Sequence, residues 1–346
     1  MLRNLQQSSR RQRVLVFLLL FGGGLLALLA ISAALLLGAL NSAPRTAASA
    51  LVEGLIVREF AALPGEDGYP AFVAAAPDGT IYTASYKTGA VYRIGLDAAV
   101  TEIPATRDAI GAAAGLVYTP DGRLLVVDHV DSDIRTSGGS IKQLLPDGQI
   151  SDFAAIPDER GFVLPFDITL DGRGYVYVSD RGRDEVWRFN PDGSGALAWW
   201  SPPGEAGGGL GYEPGGLAYD PARDALLVAD GALNIIYRVL VADGTTETLY
   251  RHTGQADAPG FGGLTVTPDG TIYVAALGLN RVLRLDGGQL TPIAGNFRGA
   301  SDVTYAAPGR LFVTNFDQRS LAFTLERPRL PFALDVIEPG ESRSGL

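Results

Sequence analysis

Residues 165–193 read PFDITLDGRGYVYVSDRGRDEVWRFNPDG, and this stretch decides the fold. It holds short runs of alternating apolar and polar residues, such as YVYVSD and EVWRF, separated by turns rich in Gly and Asp. Alternation with a period of two is typical of β-strands whose two faces differ. The same order of turns and strands returns along most of the chain, which indicates a repeat.

The repeats align on the residue that precedes the second strand of each unit. These anchor residues lie 39 to 52 positions apart and are Gly79, Gly122, Gly174, Asp224, Gly270 and Gly309. The run that follows each anchor reads TIYTAS, RLLVVD, YVYVSD, ALLVAD, TIYVAA or RLFVTN. Units of four short strands with this period are typical of propeller blades. The sequence therefore predicts an all-β fold, a six-bladed β-propeller over residues 55–326.

The two ends of the repeat region are predicted to meet in the sixth blade. LIVREFAAL, residues 55–63, has the pattern of a fourth strand, and we expect it to pair with blade 6 and close the ring. The alternative is that this segment belongs to the stalk, because terminal strands outside a sheet are usually disordered. LAFT, which begins at Leu321, is expected to be the third strand of blade 6, and residues 327–346 a tail on the outside.

The N-terminal segment predicts a signal-anchor helix in the cytoplasmic membrane. Residues 14–40 form an uncharged run of 27 residues, and a bilayer core needs about 20 apolar helical residues. The basic residues of segment 1–13 place that segment in the cytoplasm and the propeller outside, with 41–54 as a stalk. A cleaved signal peptide is the alternative, with Ala48-Ser49-Ala50 as the cleavage pattern and secretion as the result.

Composition excludes several classes of site. The chain has no Cys, which removes disulfides, thiolate metal sites and thiol catalysis and leaves the redox compartment undetermined. With only two His, a His-rich metal centre is excluded. Residues 46–346 carry 23 Lys and Arg against 38 Asp and Glu, so nucleic acid is not an expected partner.

Candidate ligand residues lie where the innermost strands begin. Four segments are expected at this end of the tunnel: 66–69, 128–133, 180–184 and 207–213. The loop after Asp128 is seven residues longer than its counterparts, and His129, Asp131 and Arg181 are candidates on this face. The alternative is a solvated loop without a role.

An acidic residue recurs six positions after three of the anchors, as Asp128, Asp180 and Asp230. We expect these side chains to accept hydrogen bonds from the backbone of their own turns instead of forming a functional ring of carboxylates.

The motifs PGGLAYDPARDALLVAD and GGLTVTPDGTIYVAA resemble those of SMP-30/gluconolactonase/LRE-like propellers, and more loosely those of NHL-repeat and strictosidine-synthase-like proteins. The resemblance covers roughly residues 55–325. It implies a divalent cation on the axis, often calcium, held by a Glu, an Asn and an Asp that each begin an inner strand. The matching positions hold no carboxylate here, and they are Pro70 with Ala71, Ala114, Phe166, Gly215, Gly262 and Ser301.

The adjacent positions supply two carboxylates, Asp167 and Asp302, on opposite sides of a six-fold ring. They are weak candidates for a cation or a polar ligand, with Ser301 and Phe166 beside them. The alternative is that both accept hydrogen bonds from neighbouring strand backbone.

Two functions follow from these observations. The first is a non-catalytic propeller that binds a small molecule or a protein on its loop face. The second is a metal-dependent hydrolase of lactones or related esters with a remodelled site, built from Asp167, Asp302, His129 and loop acids. Fold resemblance alone favours the second, and a fold does not determine an activity.

Overall fold

The computed structural model describes residues 2–41, 46–203, 213–254, 256–322 and 326–340. It divides the chain into two compact units, residues 1–45 with 319–327 and residues 46–318 with 328–346. The first unit contains the helix α1, Leu2–Asn41, and the second contains the β-sheets.

Helix α1 includes the whole predicted span at 14–40. The large apolar side chains that are described in this helix are exposed along its length, for example Leu15 at 61% near its start and Leu36 at 62% near its end. Counting only residues that the structure describes, no helix is both long and apolar enough to cross a membrane. The structure therefore does not support the transmembrane helix, and the membrane role of this segment stays a prediction.

The second unit consists of six antiparallel sheets, which are the six predicted blades. From the innermost strand outward, blades 1 to 3 comprise Pro70–Ala75, Ile81–Ser85, Val91–Ile94 and Val100–Glu102; Ala112–Tyr118, Leu124–His129, Gly139–Leu144 and Ile150–Ala154; Pro165–Leu170, Val176–Asp180, Glu185–Phe189 and Leu197–Trp200. Blades 4 to 6 comprise Pro214–Asp220, Ala225–Asp230, Ile235–Leu240 and Thr246–Arg251; Phe261–Val266, Ile272–Ala276, Arg281–Asp286 and Gln289–Gly295; Val303–Ala306, Arg310–Thr314, Ala333–Pro339 and Leu55–Ala62.

A few short elements complete this unit. Ser49–Ala50 pairs with the outer strand of blade 5, so part of the predicted stalk 41–54 joins a sheet, while residues 42–45 lie outside the described residues. Thr106–Ala109 is a short helix and Leu277–Leu279 is a turn of 3-10 helix. The short helix Gln318–Ala322 has all but its first residue in the first unit.

All six anchor residues adopt positive φ, from +46° at Asp224 to +88° at Gly122. Glycine reaches this conformation without strain, and Asp tolerates it better than most residues do. In blade 1 the backbone N–H of Thr80 donates to Asp78 Oδ1 at 2.9 Å, which holds the turn before the second strand. The turn pattern that set the predicted register of the blades is thus confirmed.

The hydrophobic core lies between blades, not within one blade. Tyr177 and Trp200 of blade 3 pack with Leu217 and Tyr237 of blade 4, and the rings of Trp200 and Tyr237 are 5.5 Å apart. The middle strand Ala225–Asp230 is buried at every residue because neighbouring blades cover both of its faces. One blade cannot bury both faces alone, which is why the ring is needed.

The innermost strands contact one another in a closed cycle from blade 1 to blade 6 and back. The N-terminal strand Leu55–Ala62 closes blade 6 by pairing with Ala333–Pro339, with Val57 opposite Ile337. The hypothesis that the two ends of the repeat region close the ring is confirmed.

The prediction for the third strand of blade 6 was wrong. Leu321 lies in the helix Gln318–Ala322, and the third strand is Ala333–Pro339, which pairs with Arg310–Thr314. Residues 333–339 therefore do not belong to an outer tail. Pro328 and Pro331 explain why the third strand begins only at Ala333. Proline cannot donate a ladder hydrogen bond, and the sheet resumes after these two residues.

Candidate functional site

The innermost strands all begin at one end of the ring, which we call the loop face. In blades 1 to 5 the first residue of the innermost strand pairs with the last residue of the second strand, as Pro165 does with Asp180. The loop that follows each second strand therefore lies at the loop face, as predicted for segments 128–133 and 180–184. Segment 66–69, which precedes the innermost strand of blade 1, lies there too. Residues 207–212 of the fourth predicted segment lie outside the described residues.

The recurring aspartates bind backbone N–H groups at the loop face. Asp180 accepts from Val163 and Leu164, each at 2.8 Å. Asp230 accepts from Glu213 at 3.0 Å and from Leu233 at 2.8 Å. Asp128 accepts from Gly111 at 2.8 Å. These carboxylates have a structural role, but most of their donors lie before the innermost strand of the same blade. The predicted bond within the aspartate's own turn is present at Asp180, from Gly182, and at Asp230, from Leu233.

Asp167 and Asp302 occupy equivalent positions in opposite blades of the ring, near the axis. Asp167 Oδ2 accepts from Leu217 N in the next blade, and its Oδ1 accepts from Ile168 N, both at 2.8 Å. Asp302 repeats this arrangement with Val73 N and Val303 N, also at 2.8 Å. Each carboxylate therefore links its own innermost strand to the following one, as the structural interpretation expects.

Glycines make room for both carboxylates. A Cβ on Gly115 of blade 2 would lie 2.7 Å from Asp167 Oδ1, and one on Gly263 of blade 5 would lie 1.7 Å from Asp302 Oδ1. In both cases the blade that precedes the aspartate's blade supplies a glycine. The missing side chain of this glycine leaves room for the carboxylate, which bonds to the following blade.

The two axial carboxyls are too deeply buried to ionise normally. Burial raises the pKa of Asp167 to about 7. Burial and the charge of Asp167 raise the pKa of Asp302 well above its usual range. Like charges in a low-dielectric site do not ionise together readily, so near neutral pH this pair holds a proton.

A cavity of about 230 Å³ runs along the axis from these carboxyls, between the innermost strands. Thr169, Thr265 and Thr304 line it with apolar side chains of the same strands, such as Leu116 and Val303. Ser301 is not available to a ligand here, because its hydroxyl donates to Ala71 O at 2.6 Å and contacts Thr314 Oγ1 at 2.8 Å.

The donor set of the axis does not fit a resident calcium ion. Calcium takes six to eight oxygen ligands. All four oxygens of Asp167 and Asp302 already accept a backbone N–H, and the raised pKa values oppose the ionised form. Among the described residues no group of three or more His, Asp or Glu side chains converges in a way that suits a metal.

One residue from each blade lies at or just after the end of the second strand, at the loop face. Each of these residues lies seven positions after its anchor, and we call the set the mouth ring: Tyr86, His129, Arg181, Gly231, Leu277 and Phe316. Tyr86 has an aromatic neighbour in this set on each side, since its ring lies 6.3 Å from that of His129 and 5.7 Å from that of Phe316.

Arg181 is the cation of the mouth ring. Its guanidinium carbon lies 3.3 Å from the centre of the Phe166 ring, and Phe166 in turn contacts Phe72 edge-on at 4.9 Å. Its Nε is buried without a hydrogen-bond partner. Burial lowers the pKa of Arg181, although Glu213 and Asp230 favour its charged form from a distance. Sequence analysis thus placed Arg181 and Phe166 on this face.

His129 fastens the long loop of blade 2. Its Nδ1 lies 2.6 Å from the carbonyl oxygen of Asp131, and its Nε2 lies 2.7 Å from that of Thr136. Asp131 accepts from the backbone N–H of Asp133 at 2.8 Å and from the hydroxyl of Thr136 at 3.0 Å. Both predicted residues therefore shape the loop, and His129 is fully buried within it.

Sequence reasoning missed Tyr86 and Phe316. The available signal was the position seven residues after each anchor, which brings together the residues that follow the second strands. Tyr86 matters because its hydroxyl makes no hydrogen bond with the described residues, and burial raises its pKa to about 12. It therefore stays protonated and is able to donate.

Comparison with known proteins shows the fold. No protein-family model matches the chain, and no curated protein matches it in sequence. A gluconolactonase from Xanthomonas campestris aligns at 17% identity with a TM-score of 0.61, covering 86% of this chain and 99% of that one. The chain has the six-bladed fold of the gluconolactonase-type propellers.

Other solved structures with this fold have different activities in their names. A luciferin-regenerating enzyme aligns at 13% identity with a TM-score of 0.62, covering 83% of this chain and 96% of that one. Virginiamycin B lyase from Staphylococcus aureus aligns at 17% identity with a TM-score of 0.54, covering 75% and 82%. At such identities the similarity concerns the fold, and the activity depends on the site.

Proposed function

We propose that this protein is a membrane-anchored propeller on the extracytoplasmic side that binds a small molecule or a protein at its loop face. The observation that carries the proposal is Arg181. Its guanidinium Nε is buried without a hydrogen-bond partner, which is costly, and a ligand that accepts hydrogen bonds from this group reduces that cost.

The anchoring part of the proposal is supported by residues 14–40. At 1.5 Å per residue a helix of this length measures about 40 Å, enough for a bilayer core of about 30 Å. The pairing of Ser49 with Gly295 supports an uncleaved anchor over a secreted form, because the candidate cleavage pattern Ala48-Ser49-Ala50 is then partly in a sheet.

Binding at the loop face is tested by screening small molecules against the full-length chain in detergent. A ligand at 100 times its Kd stabilises the native state by about 2.7 kcal/mol and raises Tm. Because the chain has no Cys, a dye can be placed on Ile134→Cys at the loop face or on Leu96→Cys at the opposite end.

Stabilising compounds should change the fluorescence of the dye at position 134 and not at position 96. Both parent side chains are well exposed, at 66% and 63%, so either label leaves the fold intact. Compounds that act only at position 96 would contradict loop-face binding, and a panel without any stabilising compound would contradict its small-molecule form.

A second candidate is a hydrolase of lactones or related esters, and Asp167 favours it. A carboxyl with a pKa of about 7 beside a cavity is suited to accept the proton of an attacking water near neutral pH. Lactone hydrolysis that Asp167→Ala abolishes would support this candidate. A rise in Tm with calcium, manganese or zinc that the same substitution removes would restore a metal-dependent form of it.

A further inference from the structure

The guanidinium group of Arg181 crosses from blade 3 onto glycines of blade 4. A Cβ on Gly215 would lie 2.8 Å from Arg181 Nη2, and one on Gly231 would lie 3.6 Å from the same atom. Any side chain at Gly215 would push the guanidinium away. The absence of side chains at these two positions therefore gives Arg181 its place at the mouth.

The positive charge of Arg181 has no contact partner. Among the described residues its side chain makes no hydrogen bond and no ion pair, although its neighbour Arg183 binds both Asp158 and Glu185. Asp230 is close enough to favour the charge, but both of its oxygens accept backbone N–H groups. Arg181 thus has donors to spare at this face.

The surroundings of Arg181 are aromatic. Phe166 covers one face of the guanidinium group, and the protonated phenol of Tyr86, which lies close to Arg181, supplies a hydroxyl donor. Phe316 packs edge-on against Tyr86 at 5.7 Å. Such a setting suits a flat apolar body that ends in an acceptor group, since aromatic rings pack well against one another.

We propose that the mouth ring binds a planar monocarboxylate, with its carboxylate on the in-plane N–H donors of Arg181 and its flat body against Phe166 and Tyr86. A planar guanidinium matches a carboxylate through two parallel hydrogen bonds. A single negative charge fits best, because Glu213 and Asp230 lie near enough to repel a dianion. This inference rests on the proposed loop-face function and names the class of its ligand.

The test uses three probes of nearly the same shape and different charge: benzoate, benzamide and benzamidine. Binding to the full-length chain in detergent is measured by isothermal titration, and the Nε–H resonance of Arg181 is followed by NMR. We expect benzoate to bind about 10- to 100-fold more tightly than benzamide, which corresponds to a charge-assisted pair of hydrogen bonds. Benzamidine should not bind.

Variants identify the group responsible. Arg181→Gln should weaken benzoate binding by at least about tenfold and leave weak benzamide binding unchanged. The benzoate affinity of Arg181→Lys should fall between those of the wild type and Arg181→Gln, because lysine keeps the charge and loses the planar pair of donors. Arg173→Gln is the matched control, since it removes one positive charge from the same blade at a side chain that is 58% exposed and paired with Asp224.

Three results would overturn the inference. Benzamide that binds as tightly as benzoate, or benzoate binding that survives Arg181→Gln, would show that the site does not select an anion, and loop-face binding would still stand. Failure of all three probes to bind at about 10 mM would remove the carboxylate site altogether. The dye experiment at positions 134 and 96 would then decide the proposed function separately.

Discussion

Single glycines decide how closely side chains approach the axis of this ring. Gly115 and Gly263 leave space for the carboxylates of Asp167 and Asp302, and Gly215 leaves space for the guanidinium of Arg181. All three glycines leave this space because they lack a Cβ, but the groups that they accommodate differ. The carboxylates are held by backbone hydrogen bonds, whereas Arg181 is the end of a flexible side chain.

Gly263→Ala should therefore destabilise the propeller. The new Cβ would fall 1.7 Å from Asp302 Oδ1 and force the carboxylate off Val73 N and Val303 N. Overpacking of this kind typically lowers the free energy of unfolding by about 1–3 kcal/mol. Chemical denaturation measures this loss of stability. The control is Gly254→Ala at an exposed position, where the added Cβ meets no atom closer than 3.5 Å.

Gly215→Ala should behave differently. The Cβ meets the flexible guanidinium group, which is able to move, so stability should change by less than about 1 kcal/mol while Arg181 leaves its place. Benzoate binding should then be weakened about as much as by Arg181→Gln. A variant that binds benzoate as the wild type does would show that the position of the guanidinium is not important.

The axial carboxyls predict a pH dependence of stability. Their pKa values are raised from the ordinary 3.8, that of Asp167 to about 7, so the folded chain binds more protons than the unfolded chain between these values. Stability from Asp167 is therefore lost as the pH rises from about 4 to about 7, and stability from Asp302 is lost in the same direction.

The double variant Asp167→Asn/Asp302→Asn removes both titrating groups. Its free energy of unfolding, measured from pH 4 to pH 8, should fall less steeply with pH than that of the wild type. Equal slopes would mean that the two carboxyls ionise normally in the folded chain.

At the scale of elements, the ring depends on a strand from the other end of the chain. Leu55–Ala62 is the outer strand of blade 6, and its register with Ala333–Pro339 extends from Leu55 opposite Pro339 to Ala62 opposite Ala333. The sequence pattern predicted this closure. It did not predict the third strand of the same blade, because an excursion between strands leaves no periodic signal.

Deleting residues 46–62 should expose the edge of Ala333–Pro339. Unpaired edge strands invite association, so we expect a lower Tm and a concentration-dependent oligomer in sedimentation experiments. A shorter deletion, residues 46–51, removes only the two-residue strand Ser49–Ala50 of blade 5 and should have a much smaller effect. Equal effects would contradict the role of Leu55–Ala62 in closure.

At the scale of the whole molecule, the proposed topology has a direct test. With no native Cys, Ile134→Cys in the propeller and Ser8→Cys in the basic segment can each be labelled alone. In intact cells a membrane-impermeant maleimide should label position 134 and reach position 8 only after lysis. The opposite pattern would place the propeller in the cytoplasm.

The sequence by itself determined the blade number, the turns and the closing strand. Period-two alternation and positive-φ turn residues are local properties, so they can be counted along the chain. It also indicated Asp167 and Asp302, with hydrogen bonds to neighbouring strand backbone as one interpretation, and it indicated Arg181 without its environment.

Only the tertiary structure decided which groups meet at the axis. The two carboxylates bind backbone of the next blade, and Arg181 remains unpaired over Gly215. Both arrangements depend on contacts between blades that are distant in sequence. Such contacts follow from the packing of six sheets around a common axis, and no pattern within one blade records them.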